Sequence, residues 1–194
     1  MKLKAIAKLC KSNKFIYTVD ETEDSFWLGN GTAIYLISGL PKMTNEHLMV
    51  MFEVPEKDKP KYRFSNNSKF TSQIDRRDII GSESIAERLD VTIQYYGYEL
   101  YPLKTETGLV CIETDYLKPL ADAEQGFELY LRYTDECKPY IVAKEGMFIK
   151  AVILPCNVVD KLFCQKIQEI HNLSMMTVEN GHSSKEAETF LHGW

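Results

Sequence analysis

No apolar run in this chain approaches the roughly 18 residues that a helical membrane span requires, so membrane insertion is not expected. The lysine-rich start, MKLKAIAKLCKSNK, lacks the continuous apolar segment and small-residue cleavage site of an export signal. Metal-binding signatures are missing too: there is no C-x-x-C and no H-E-x-x-H, and Cys156, Cys164 and His171 are too widely spaced for zinc. None of His47, His171, His182 and His192 accompanies a Ser or Cys on a defined turn, so no nucleophile and base pair is legible. Gly29-Asn30-Gly31 has neither the G-x-x-x-x-G-K-S/T pattern nor a G-x-G-x-x-G ahead of a helix, and reads as a hairpin turn. The acids Asp20, Glu21, Glu23 and Asp24 read as a solvated turn rather than a divalent-cation site. These absences lead us to expect no catalytic residue, no metal and no cofactor. Cysteine is also scarce and odd in number: five, widely spaced and mostly among apolar residues, the pattern of buried free thiols in a reducing compartment. A cytoplasmic protein is expected.

What is present points to a packed protein. A chain of 194 residues with 44% hydrophobic content and 11% aromatics is long and apolar enough for a substantial core. A net charge of -5 argues against a surface devoted wholly to nucleic acid, while leaving room for one basic face. That face is visible at once. Leu3, Ile6, Ala7 and Cys10 fall on one helical stripe, and Lys2, Lys4, Lys8 and Lys11 surround it. With Lys14, five lysines and no acid occupy the opening 14 residues.

Farther along, Phe15 to Val19 reads as a strand, Asp20 to Asp24 as a turn, and Phe26 to Leu40 as two strands about the Gly-Asn-Gly tripeptide. Thr44 or Asn45 is the expected N-cap of a helix over Glu46 to Glu53, with Leu48, Met49, Met51 and Phe52 inward and His47 on the surface. From Pro55 to about Ser84 the composition turns to Lys, Asp, Pro, Asn and Ser, which predicts a weakly ordered insertion. Strands are expected at Val91 to Gln94, Glu99 to Leu103 and Leu109 to Ile112. Hairpin packing is the simpler account of Tyr95, Tyr96, Tyr98 and Tyr101, against base stacking or a protein interface. Next come a short helix, Asp115 to Ala123, with Tyr116, Leu117, Leu120 and Ala121 on its stripe, and a strand from Phe127 to Tyr133. A helix from Val158 to Leu173 follows, lined by Val159, Leu162, Phe163, Ile167, Ile170 and Leu173, and from Ser174 the periodicity is lost, predicting a flexible tail.

Two stretches repeat. Phe26 to Pro41, FWLGNGTAIYLISGLP, and Tyr140 to Pro155, YIVAKEGMFIKAVILP, have equal length, an aromatic start, a turn in the same place and a Leu-Pro ending. Each follows a helix and a strand, which reads as a decayed internal duplication. The second copy resembles the repeating unit of bacterial sliding clamps, the processivity subunit of replicative DNA polymerase. The segments that carry the likeness are Asp115 to Ala123, with its Tyr-Leu-x-x-Leu helix, Phe127 to Tyr133, Tyr140 to Met147 and Phe148 to Pro155. The whole chain also resembles uncharacterised proteins of prophages and mobile elements of Gram-positive gut bacteria, through Trp27 to Gly31 and Gly39 to Pro41.

The resemblance implies an α+β fold of two similar helix-plus-antiparallel-sheet units, DNA-clamp-like. The first unit would span 1–90 with the insertion at 55–84, the second 91–173, and 174–194 would be the tail. It implies a non-catalytic role at DNA, with Lys2, Lys4, Lys8, Lys11 and Lys14 on the phosphate backbone. By the same resemblance Leu154, Pro155, Val158, Leu162 and Phe163 mark a region that receives replication or repair proteins, and a homo-oligomer is an expected partner state. Three departures weigh against a full carry-over. The second helix carries Asp115, Lys118, Asp122 and Glu124 and no basic face, the chain has two units where a clamp subunit has three, and it continues well past Pro155. The alternative is a protein-interaction module, a clamp mimic, adaptor or inhibitor, that binds host replication proteins without DNA.

Overall fold

The computed structural model describes residues 2–68, 74–121 and 126–191, with side chains described as far as Asn180. It contains α-helices and antiparallel sheet, an α+β protein, in two compact units, Met1–Cys156 and Asn157–Trp194. Among the described residues no helix is long and apolar enough to cross a membrane.

The first unit begins with α1 (Leu3–Asn13), which buries Ile6, Ala7, Leu9 and Cys10. It ends at Lys14, whose backbone turns left-handed at φ 49° while its N–H returns to the carbonyls of Cys10 and Lys11. Strand β1 (Phe15–Thr22) is longer than expected, and only Glu23 and Asp24 form the turn. The acids before that turn tolerate strand geometry because they have partners: Asp20 accepts from Lys42 Nζ at 2.6 Å and Glu21 from Trp27 Nε1 at 2.8 Å.

Strands β2 (Ser25–Gly29) and β3 (Ala33–Ser38) enclose the Gly-Asn-Gly turn. Asn30 is buried there, its Oδ1 accepting from the N–H groups of Thr32 and Ala33, and Gly31 takes φ 82°. A Cβ on Gly29 would lie 1.9 Å from the Ala33 carbonyl oxygen, so only glycine fits. In α2 (Asn45–Met51) the Oγ1 of Thr44 accepts from His47 N at 3.2 Å, which identifies Thr44 as the N-cap. Leu48 and Phe52 are buried, Met49 and Met51 partly so.

The stretch after Pro55 departs most from expectation. A 3-10 turn (Glu56–Lys61) leads into β4 (Arg63–Asn67), which pairs in parallel with β1 from Phe15 to Val19. Asn66 then joins Thr18 and Asn45 by side-chain hydrogen bonds of 2.9 Å each. Residues 74–83 have little secondary structure, yet Asp75, Arg77, Asp78 and Glu83 anchor this strap to buried charge, which the expected loop composition did not suggest. Arg132 is 0% exposed and uses its whole guanidinium: Nε and Nη2 donate to Glu83, Nη1 to the carbonyls of Asp75 and Arg77, and Nη2 also to that of Asp78. Lys144 donates to the other Glu83 oxygen at 2.5 Å and lies 4.4 Å from the centre of the Tyr130 ring. Tyr140 Oη accepts from Asp75 N, and Asp78 Oδ1 accepts from Ile149 N. Composition does not show these anchors because the buried partners lie on distant strands.

Strands β5 (Ser84–Ile85), β6 (Glu87–Arg88), β7 (Ile93–Tyr95), β8 (Tyr98–Thr105) and β9 (Gly108–Glu113) follow. β8 pairs with β6, β7 and β9 in a small antiparallel sheet. The expected helix at Asp115 to Ala123 is a 3-10 helix over Thr114–Leu120, because Pro119 inside it has no N–H to donate one turn back. Tyr116, Leu117 and Leu120 are buried as expected, whereas Ala121 is exposed and Asp122 and Ala123 fall outside the described residues.

Finally β10 (Glu128–Tyr133), β11 (Pro139–Glu145) and β12 (Phe148–Ile153) form a second meander. The main sheet has the order β4-β1-β2-β3-β12-β11-β10-β5. Its two meanders meet where Ala33 to Tyr35 pair antiparallel with Ala151 to Ile153. Residues on both sides of the expected boundary at 90 and 91 thus share this sheet. One face packs on α1, α2 and the 3-10 helix through Ile6, Cys10, Leu28, Tyr35, Phe52, Tyr116, Leu131 and Ile141. The other gathers Val19, Trp27, Ile34, Tyr140, Val142, Ile149 and Val152, with Ile74 of the strap against them. Burial on both faces explains why the repeated stretches read as continuous apolar runs.

The second unit is α3 (Lys161–Leu191), opened by Asp160, whose Oδ1 accepts from Phe163 N at 2.8 Å. It starts three residues later than expected and runs much farther, so the tail from Ser174 to Leu191 is helical. The hydroxyls of Ser174 and Thr177 donate to the carbonyls of Ile170 and Leu173, which accommodates them inside the helix.

Candidate nucleic-acid interface

Lys2, Lys4, Lys8, Lys11 and Lys14 are all exposed. This follows from the burial of α1: once Ile6, Ala7, Leu9 and Cys10 point inward, the 3.6-residue period leaves the intervening lysines outside. Lys11 lies in the last turn, where the helix dipole favours a cation. Lys4, Lys8 and Lys11 line a groove of about 610 Å3 together with Leu3, Ala7, Met51 and Phe52, and Glu53 is its one acidic lining residue among the described residues.

The 3-10 helix adds to this surface. Its last turn lies beside the start of α1, where Lys2 N donates to the Pro119 carbonyl at 2.9 Å. Lys118 consequently joins Lys2 and Lys4 around a shallow depression of about 680 Å3 floored by Leu3, Ala5 and Ala121. Asp115, an acid that counts against the second helix in the sequence, sits between Lys8 at 3.6 Å and Lys118 at shorter range. The Lys118 hydrogen bond, with Lys8 adding its charge, holds the Asp115 carboxyl below the ordinary carboxylate range. The second helix therefore contributes a cation and a neutralised acid, while Asp122 and Glu124 lie outside the described residues.

Beside the end of α1, Arg63 N donates to the Lys14 carbonyl at 3.0 Å. Asp58 is held low first by a hydrogen bond from Lys61, and then by the charges of Lys57 and Lys14. Lys118 is the residue that sequence reading missed for this surface. The i, i+3 spacing of Asp115 and Lys118 was visible, but their closeness to α1 is a product of the fold.

The expected partner-binding residues are divided between the two units. Leu154 is exposed with its N–H on the Thr32 carbonyl at 2.8 Å, and Pro155 is half-buried, both in the first unit. Val158 is half-buried and Leu162 exposed in the second, whereas Phe163, expected to be available to a partner, is buried. Of the tyrosines, Tyr96 and Tyr98 are exposed at the β7–β8 turn, and Tyr101 is half-buried with the Arg88 guanidinium 5.0 Å from its ring centre. Cys10 and Cys111 are buried thiols, and burial raises Cys10 to about 12, but Cys137 and Cys164 are exposed, contrary to expectation.

The candidate interface thus presents exposed ammonium groups of α1 beside an apolar groove. No protein-family model matches the chain, and no curated protein or solved structure matches it either.

Proposed function

We propose that this protein is a non-catalytic, DNA-clamp-like replication or repair accessory protein of a phage or mobile element that holds the DNA backbone through α1. The observation that carries the reading is the exposed row Lys2, Lys4, Lys8, Lys11 and Lys14 on the helix-bearing side of the sheet, extended by Lys118. Two similar units are part of the same proposal: α1 with β1, β2 and β3, and the 3-10 helix with β10, β11 and β12. Supporting it are the matching order of elements and the central pairing of β3 with β12.

Binding of this kind is electrostatic, sequence-independent and salt-dependent. Five phosphate contacts would give a slope of about -4 to -5 in log K against log salt. The test is fluorescence anisotropy of labelled duplexes of unrelated sequence across a salt series. Equal binding of the duplexes, lost when Lys2, Lys4, Lys8 and Lys11 all become Glu, supports the proposal. Wild-type protein that binds nothing at low salt, or a quadruple variant that binds unchanged, overturns it. Retention of host replication proteins without DNA would favour the adaptor reading instead.

A further inference from the structure

Cys111 and Cys156 face each other across an isolated antiparallel bridge. Cys111 belongs to β9, is fully buried, and pairs on its other side with Pro102 of β8. Cys156 stands where the chain, having left β12 at Ile153 and passed Pro155, touches the small sheet. Its N–H donates to the Cys111 carbonyl at 2.8 Å. This bridge holds the last residue of the first unit to β9, and a cysteine stands on each side of it.

Directly opposed residues of an antiparallel pair send their side chains to the same face. In a hydrogen-bonded pair the Cα atoms are about 5.5 Å apart, within the ~4.4–6.8 Å that disulfides span. The Cys156 sulfur is directed at β9, because it accepts a hydrogen bond from the Glu113 N–H. Opposed Cβ atoms stand roughly 4.5–5.5 Å apart, and a disulfide brings them to about 3.8 Å, so closure needs about 1 Å of approach. Cys156 can supply that movement, since it lies outside any strand and is tied by a single bridge.

We propose that Cys111 and Cys156 form a reversible cross-strand disulfide, closed by a peroxide, that locks the end of the first unit onto the small sheet. Cys156 is half-buried and meets the peroxide first. Its sulfur attacks one oxygen, the O–O bond breaks, and a sulfenic acid and one water form. The Cys111 sulfur then attacks the sulfenic sulfur, the S–O bond breaks, and the thiol proton leaves with the hydroxyl as a second water. Two thiols are thereby oxidised to one S–S bond while one peroxide is reduced to two waters.

The surroundings set the pace of this chemistry. Burial first, and then the Glu113 carboxylate, push the Cys156 thiol up to about 11, and burial raises Cys111 as well. The thiolate is the attacking form, so at neutral pH the pair resists brief oxidation and closes under sustained exposure. The exposed Cys137 and Cys164 lack this protection by burial and should be consumed first. Once closed, the bond constrains the unfolded chain, so the oxidised protein should unfold at higher denaturant than the reduced one.

Peptide mapping of the full chain after hydrogen peroxide treatment, with remaining thiols alkylated in denaturant, tests the proposal. The expected product is a monomeric chain in which the Cys111 and Cys156 peptides are joined, two hydrogens lighter than the separate thiols, and are released by dithiothreitol. A chain carrying Cys137→Ser and Cys164→Ser should form the same bond, and its urea midpoint should rise on oxidation and return on reduction. Cys156→Ser, at a half-buried position, should keep the circular dichroism of the wild type, leave Cys111 unbonded and show no shift in midpoint. Three results overturn the proposal: Cys156 carried to sulfinic acid while Cys111 stays a thiol, Cys156 joined to another cysteine or to a second chain, or both still thiols after exposure that consumes Cys137 and Cys164. A bond that forms without raising the midpoint overturns the locking role.

Discussion

Lys144 and the lysines of α1 carry the same charge on the same four-carbon stem, yet Lys144 is 4% exposed and locked to Glu83 while those of α1 stand in solvent. The difference lies in what each charge gives up. A buried ammonium has lost its hydration and must recover it from a fixed partner, so removing that partner is costly. An exposed ammonium keeps its water and costs little whether paired or not, which leaves it available to an incoming anion. Buried charge in this protein ties a strap to a sheet, and surface charge forms the candidate interface.

The contrast is most directly broken at Glu83, which bridges Arg132 and Lys144. Glu83→Ala would leave two buried cations without their carboxylate and is expected to cost about 3–5 kcal/mol, read as a lowered denaturant midpoint. A loss below about 1 kcal/mol would put the strap in the same class as the surface pairs.

Acid should give a smaller effect of the same kind. Burial alone would raise Glu83, but the hydrogen bonds from Lys144 and Arg132 outweigh it and hold the carboxyl low. Asp75 is held at about 2, chiefly by its hydrogen bonds from Arg77. A carboxyl with a lowered folded pKa stabilises the fold above its unfolded value near 4 and stops doing so as pH falls through the lowered value. Unfolding free energy should fall by on the order of 1–2 kcal/mol between about pH 5 and pH 2, after allowance for the exposure of Asp75. Glu83→Gln should remove part of that slope, and an unchanged slope would take Glu83 out of the account.

On the exposed side the expected stability effects nearly vanish. Lys8→Ala should change unfolding free energy by no more than about 0.5 kcal/mol, although it breaks an ion pair with Asp115. Lys118→Ala should be as mild in stability and should lower the salt slope of DNA binding by about one. An unchanged slope would restrict the interface to α1.

Much of the framework was legible because it is written in local patterns. The α1 stripe, the paired hairpins around Gly29-Asn30-Gly31 and Gly146, the Thr44 cap and the β7–β8–β9 run follow from periodicity and turn chemistry. Pro119 was equally visible, and its missing N–H explains why the second helix tightened into 3-10 geometry. Polar strands gave no such signal. Little in Arg63-Phe64-Ser65-Asn66-Asn67 announces a strand, because β4 brings a single apolar side chain, Phe64, to the core and is otherwise held by backbone pairing with β1 and by asparagine contacts.

The site divides in the same way. By itself the sequence determined which α1 residues are cationic and that they face outward, since a 3.6-residue period with one apolar stripe leaves no other place for them. Only the tertiary structure decided that Lys118 and Asp115 lie beside those lysines, that Arg132 and Lys144 are buried rather than exposed, and that residues 74–83 are anchored. The physical reason is distance along the chain: charge interactions act through a few ångströms of space, and a separation of 49 positions between Glu83 and Arg132 carries no local mark of that closeness.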